Sequence, residues 1–583
     1  MGRDEDQGVG NRQEGARETG RVKPTVGRDR LKLTALALAG GGALWLGFFP
    51  ANLGFLGFVA LVPFLYLIAR VKPRGTYLAG FLGGLLFGAL AVQWVRLAAP
   101  AMYFAWLGLA LLLAMHFLLF VGLTRWLVHS ARLPLLLAAP VVWTALEYGR
   151  AHIDIGFAWY LLGHTQHDYP IVLQAADVFG AYGLSFLLVM FNVVVLQAGY
   201  WLASQRWPSV FAPSALLLPA PRGLLAAAGL TASVMIACLA YGGWRLSQTE
   251  FAQGPKVALV QGNVPQEVRN DPALGEEQDA HFDQLGAQAG AAGADLIVFP
   301  ETSYTFHWLH IPAEHRDKLS LFGEEMLRLS ERFAREKPRQ WNAALLLGIN
   351  SLVYRSEDFR PFNSAILLDR NGSVLGQYDK CCRVPFGEYL PFVQTLPFMK
   401  WFSPYDFDYG IDPGRELTLF ELPSGSQYRF AVLICYEDSV PHLARRFMRL
   451  ARPTEPIDFF LNISNDGWFR GSEEHEQHLV AARFRAVENR RALARAVNMG
   501  ISAVIDGNGR MAALPGETWG DSKAVAGIVA AYVPIDHRSS LYVFWGDILP
   551  QSCAVLLGLG MCWAVVNAWR SRRAGKLQVE GKS

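Results

Sequence analysis

Charge is scarce in this chain. Only 18% of its 583 residues are Asp, Glu, Lys or Arg, against 52% hydrophobic residues, a balance outside that of ordinary soluble proteins. The net charge of +3 is small for this length, and no basic stripe is interleaved with aromatics, so a nucleic-acid partner has no support. Cysteine is equally thin. The six residues Cys238, Cys381, Cys382, Cys435, Cys553 and Cys562 contain no CxxC pair and no Cys/His metal spacing, which argues against a disulfide framework and a structural zinc. His475 and His478 stand three apart on a helical stretch, but no second cluster accompanies them. The plainer reading is a solvated helix face, with no metal and no cofactor. No internal repeat is present.

The charge that exists is unevenly spread. Residues 1–32 are rich in Gly, Arg, Glu and Asp without apolar periodicity and read as a disordered tail. Crossing a bilayer takes about 20 apolar residues, and such runs occur near 33–49, 52–69, 76–97, 101–128, 133–149, 180–203 and 224–246, with another near 547–568. The expected organisation is a tail (1–32), seven spans (33–250), a mixed-composition globular domain (255–540), an eighth span (541–569) and a second tail (570–583). Lys and Arg cluster in the N-terminal tail, at 70–74, at Arg125 and Arg132, at Arg206 and Arg222, and at the C-terminus. Positive loops stay in the cytoplasm, so both tails are expected there and the globular domain on the external side. Trp159, Tyr160, His164 and His167 fall on that external side; interfacial anchoring is their ordinary use, and lining a lipid portal is the alternative. Glu147 is an intramembrane acid near the external interface, where simple solvation suffices.

Within the globular part, three apolar strand-like runs each end in a reactive side chain. RFAVLI leads into Cys435, ADLIVFP into Glu301, and SVLGQYD into Lys380, with Glu388 eight residues later. Open sheets present reactive groups at strand carboxyl ends. One Cys after one strand usually only packs, but an acid, a base and a thiol share this design. A free thiol is only a few per cent thiolate at neutral pH, so a nucleophilic Cys needs a proton acceptor or a nearby cation. Glu301 suits the first need and Lys380 the second.

The order Glu, Lys, Cys resembles the nitrilase superfamily over roughly 255–535. Narrower motifs are VQGNVPQ, FPET, YDKxxxVPFGEYLPF, CYED, NISNDGWF and RAVENRRALARAVNMGISAVID. In this order, and inside this span layout, they resemble the apolipoprotein N-acyltransferase family of the bacterial inner membrane. Two departures stand out: Lys380-Cys381-Cys382-Arg383 where that family usually reads Lys-x-His-Leu, and Asn498-Met499-Gly500 where it usually has Asn-Thr-Gly. Neither touches the three central positions.

The resemblance implies a four-layer α-β-β-α sandwich joined to an eight-helix membrane domain, with the sandwich on the periplasmic side of the inner membrane. It implies transfer of an acyl chain from a phospholipid to the N-terminal amine of the S-diacylglyceryl-cysteine of apolipoproteins, through a thioester on Cys435. Glu301 would be the base, and Lys380 with a backbone N–H near Tyr436 the oxyanion donors. Glu388 would orient Lys380 or share proton transfer, and Glu437 would shape the site by hydrogen bonding. Phe398, Met399 and Trp401, in an apolar Pro-bearing loop from 391 to 410, would form a lid or lipid portal. A membrane-tethered amidase with the same triad is the main rival; a transporter or receptor is disfavoured by the few charges within the spans.

Overall fold

The computed structural model describes residues 26–70, 75–153, 156–208, 221–355, 358–403, 410–423, 427–452 and 454–580. Most of the expected N-terminal tail, and residues 404–409 of the expected lid, lie outside them. Four helices are long and apolar enough to cross a membrane: Met102–His129, Ala176–Arg206, Pro221–Ser247 and Ile548–Asn567. Helix length and composition thus mark four of the eight expected spans. The other four expected spans, 33–49, 52–69, 76–97 and 133–149, overlap Val26–Leu46, which begins inside the expected tail with Arg28, Asp29, Arg30 and Lys32; Gly54–Ala69, an apolar stretch interrupted before Pro63; the short Thr76–Ala91; and Leu135–His152, which carries Glu147 and Arg150.

Helix ends in this bundle are satisfied by specific partners. Arg125 donates to the carbonyls of Leu67, Ile68 and Arg70 at 2.8, 2.8 and 2.6 Å, placing a cation on the carbonyl end of Val62–Ala69. Ala176–Arg206 is broken near its start, where Gly180 has φ +65° and ψ −170°, a conformation essentially reserved for glycine. The break frees the Ala181 amide, which donates to Glu488 of the globular domain at 2.9 Å.

Among the described residues of the globular part, thirteen strands form two sheets. They are β1 (Ala252–Gln261), β2 (Leu296–Val298), β3 (Trp308–His310), β4 (Ala344–Arg355), β5 (Asp358–Leu368), β6 (Val374–Asp379), β7 (Leu419–Pro423), β8 (Gln427–Ile434), β9 (Phe459–Ser464), β10 (Ala492–Val497), β11 (Ala503–Ile505), β12 (Met511–Ala513) and β13 (Gly527–Ile535). The first sheet runs β13-β1-β2-β4-β5-β6 with β3 on β4, and the second β12-β11-β10-β9-β8-β7. Alternation along β1 explains the layering: Val257 and Leu259 join the core against the second sheet, while Ala258 and Val260 join the core under helices Gly275–Ala291 and Leu321–Trp341. Helices Pro441–Leu450 and Glu474–Asn489 cover the second sheet, completing an α-β-β-α sandwich.

Glu474–Asn489 is buried along its whole length, because it is also packed against Ala176–Arg206 of the membrane bundle. The expected solvated face is therefore absent: His475 and His478 are both 1% exposed. Ion pairs weld this junction. Asp177 accepts from Arg490 at 2.6 Å and Arg245 at 2.9 Å, with all three side chains buried. Glu147 is fully buried as well, not solvated, and accepts from Trp143 at 2.8 Å and the Leu162 amide at 2.7 Å. Trp159, Tyr160, His164 and His167 are likewise buried rather than spread as interfacial anchors. Tyr160 accepts from Trp94 at 2.8 Å, and the Trp159 ring lies 5.5 Å from that of His478.

Candidate active site

Glu301 follows β2, Lys380 follows β6 and Cys435 follows β8, so two of the groups hang from one sheet and the thiol from the other. The three meet where strands of both sheets end. Lys380, 1% exposed, donates to Glu301 Oε1 at 3.1 Å and to Glu388 Oε1 at 2.7 Å. Glu301 also accepts from Asn363 Nδ2 at 2.6 Å and, on its other oxygen, from the Asn465 amide at 3.0 Å. Three donors therefore fix this carboxylate. Glu388 is held in turn by the Val384 amide at 2.7 Å.

Cys435 opens a short turn of 3-10 helix, Cys435–Ser439, with φ +51°, a left-handed conformation uncommon outside glycine. Glu437 anchors that turn. Its buried carboxylate accepts from the amides of Ile434 (2.8 Å), Cys381 (2.6 Å) and Cys382 (2.9 Å) and from the Tyr378 hydroxyl (2.9 Å), tying the Cys435 turn to the Lys380 loop. Burial nevertheless pushes the Glu437 carboxyl up to about 7, with these donors pulling the other way.

Burial, reinforced by the Glu301 carboxylate, holds the Cys435 thiol well above its ordinary value, and Lys380 only partly offsets this. Cys435 therefore rests as a thiol. For Lys380, burial disfavours the ammonium, but Glu301, Glu388 and Cys435 outweigh burial and hold it well above its ordinary value. A neutral thiol, a fixed carboxylate and a retained ammonium make a set that can attack a carbonyl: base, nucleophile and oxyanion donor.

The other expected site residues are placed as follows. Tyr436, next to Cys435, donates its hydroxyl to Gly156 O of the membrane half at 2.6 Å and packs with Phe386 and Phe469 on the bundle's core. Phe398 and Trp401 are 47% and 84% exposed, and Met399 is half-buried, so this stretch is not core. Cys381 and Cys382 are half-buried, and burial first, then Glu437, pushes them up to about 11 and about 12.

Several residues here were not singled out from the sequence, and His478 was taken only for part of a solvated helix face. Asn363 sits among apolar residues of β5, and a lone Asn in such a run was the available signal. Asp438, Asp466, Glu474, His478 and Arg495 form a buried cluster behind Cys435. His478 lies 2.9 Å from Asp438 and 3.0 Å from Asp466, and Arg495 reaches the same two carboxylates at 2.8 and 2.6 Å. Ligand atoms of Asp466, Glu474 and His478 lie within 4.8 Å of one another. Burial, then Asp466, holds the Glu474 carboxyl well above its ordinary value. His478 and Arg495 thus both lie between Asp438 and Asp466.

Residues 40–194 match the model of the apolipoprotein N-acyltransferase N-terminal domain, and residues 256–536 that of carbon-nitrogen hydrolases. The apolipoprotein N-acyltransferase of Geobacter metallireducens is 31% identical over 526 residues, covering 89% of this chain and 92% of the relative. That of Rhodopirellula baltica is 27% identical over 586 residues, covering 93% and 98%.

Proposed function

Because the chain belongs to the apolipoprotein N-acyltransferase family and is an acyltransferase that N-acylates lipoproteins, we propose that Cys435, Glu301 and Lys380 carry out the transfer. The acyl donor is a membrane phospholipid and the acceptor a diacylglyceryl apolipoprotein. As Cys435 Sγ bonds to the ester carbonyl carbon, Glu301 takes the thiol proton and the carbonyl's π pair moves to oxygen. Lys380 and the Tyr436 amide stabilise that oxyanion. Its collapse breaks the ester C–O bond, the proton passes from Glu301 to the lyso-phospholipid oxygen, and a thioester remains. The lipoprotein amine then attacks the thioester carbonyl carbon, Glu301 takes the amine proton, and collapse breaks the C–S bond as that proton passes from Glu301 to Sγ, so that the amide leaves and Cys435 is again a thiol. The raised thiol makes this coupled deprotonation the workable route, since no thiolate is stored at rest.

The observation that carries the reading is the hydrogen bond from Tyr436 to Gly156, which sets the nucleophile's turn directly on the membrane half. A soluble amide needs no such contact; a lipid ester does. Eight crossings, cytoplasmic tails, and a periplasmic catalytic domain in the inner membrane complete the proposal, supported by the distribution of Lys and Arg. Glu388 orients Lys380, Glu437 holds the turn, and the exposed Phe398–Trp401 stretch serves as a lid or lipid portal. Mass spectrometry after incubation with phospholipid tests it. An acyl adduct on the Cys435 peptide, chased onto a diacylglyceryl peptide, is expected; it should vanish in Cys435→Ala and persist in Cys381→Ala and Cys382→Ala. Release of free fatty acid alone, with a diacylglyceryl peptide present, would instead indicate hydrolysis.

A further inference from the structure

The main-chain carbonyl of Cys435 accepts from Asn462 Nδ2 at 3.3 Å and, at the same distance, from the longer branch of the His478 Nε2 proton, which it shares with Asp438. Neither belongs to the triad. Asn462 cannot turn its amide around, because its Oδ1 accepts from Arg495 at 2.9 Å while its Nδ2 also donates to Leu433 O at 3.0 Å. His478 is equally constrained. Its Nε2 faces Asp438 Oδ1 at 2.9 Å and its Nδ1 faces Asp466 Oδ1 at 3.0 Å, so both nitrogens meet acceptors and both carry protons. Arg495 takes the remaining oxygen of each aspartate. The ring of four charges is closed and buried, each member 0–1% exposed.

A closed neutral ring could stabilise the second sheet without touching the nucleophile. Here it reaches the one carbonyl that shares a peptide unit with the Tyr436 amide. In a trans peptide the C=O and N–H are coplanar and point to opposite sides, so gripping the carbonyl sets the direction of the N–H. A cationic donor on the carbonyl also polarises the N–H through the same amide. Cys435 sits at φ +51°, where an unbranched non-glycine backbone is strained, and such a conformation persists only when its surroundings over-determine it. The two donors supply that determination.

We propose that His478, together with Asn462, is a positioning residue for the transfer: it holds and polarises the Cys435–Tyr436 peptide so that the Tyr436 N–H meets the oxyanion formed when Cys435 attacks a carbonyl. No proton leaves or reaches His478 during the step, and its contribution is confined to the orientation and strength of one hydrogen bond. The inference rests on Cys435 being the nucleophile.

The test uses the full-length protein in phospholipid micelles and the variants His478→Leu and His478→Gln. Three quantities are read: the rate of Cys435 acylation from phospholipid, the KM for phospholipid, and the rate of Cys435 alkylation by iodoacetamide. Alkylation displaces iodide at a saturated carbon and forms no oxyanion, so it reports the thiol's access and ionisation alone. His478→Leu should lower acylation about 100-fold, within the range for losing one oxyanion donor, with KM and alkylation within about threefold of wild type. His478→Gln restores a neutral donor and should recover about tenfold of that loss. Should His478→Leu not fold, His478→Gln still has to show an acylation deficit of about tenfold with normal alkylation. Equal slowing of acylation and alkylation would overturn the proposal by revealing a disordered site, and so would normal acylation in both variants. A wild-type enzyme that takes no acyl group on Cys435 would instead overturn the assignment of the nucleophile, and this inference with it.

Discussion

Tyr436 donates its hydroxyl to the carbonyl of Gly156 at 2.6 Å, joining the residue after Cys435 to the membrane half of the chain across 280 positions of sequence. A net hydrogen bond of this kind contributes about 1 kcal/mol. Tyr436→Phe keeps the ring packing and removes the bond. Acylation from membrane phospholipid should fall about fivefold, while alkylation of Cys435 by iodoacetamide stays near normal. Unchanged acylation would show that the two halves need no direct tie at this point.

Lys380 stands between two carboxylates, and its replacement by Met removes both an oxyanion donor and the charge that lets Glu301 and Glu388 share one buried space. Losing one oxyanion donor costs about 10²–10³ in rate. Turnover of Lys380→Met should drop by at least that much, and thermal unfolding should move to lower temperature. A variant with normal turnover would reduce Lys380 to a structural ion-pair partner.

The charge on His478 has a signature in stability. Burial and Arg495 disfavour the imidazolium, but Asp438 and Asp466 outweigh them and raise the group to about 10. A folded-state value above the unfolded one means that the folded protein holds the proton longer. This stability is fully present below about pH 6.5 and is lost as pH rises toward 10, at up to about 1.4 kcal/mol per pH unit. Chemical denaturation of wild type against His478→Gln between pH 6 and 10 should show the gap closing as pH rises. A gap independent of pH would mean that the His478 imidazole carries no charge in the folded protein.

Phe398 and Trp401 are exposed on the described part of the loop that follows the Lys380–Glu388 stretch. A thioester awaiting a second large substrate must be kept from water. Replacing Phe398, Met399 and Trp401 by Ser should slow phospholipid-dependent acylation, raise free fatty acid release, or both, with little change in the unfolding temperature. Normal acylation with normal fatty acid release would sink the lid assignment, as would loss of folding.

The strand runs ending at Glu301, Lys380 and Cys435 were legible because a buried strand is an apolar run of limited length, and a polar residue just past it lies at the sheet's edge whatever the partner strands are. The apolar stretches of the membrane half were legible for a similar reason: bilayer thickness sets a length that composition alone reveals.

The face of helix Glu474–Asn489 that carries His475 and His478 was misread as solvated, and Asp438, Asp466 and Arg495 drew no reading at all. Polar residues in a helix look the same in sequence whether water or another buried charge satisfies them. Here the second sheet covers one side of that helix and the membrane bundle the other, so His478 found its partners Asp466 and Asp438 12 and 40 residues away. Such pairings depend on where elements dock in space, which local periodicity does not encode. The same holds for Asn363 on Glu301 and for Tyr436 on Gly156: the residue types were on the page, but only the meeting of two sheets and a helical bundle brought their atoms within hydrogen-bonding distance.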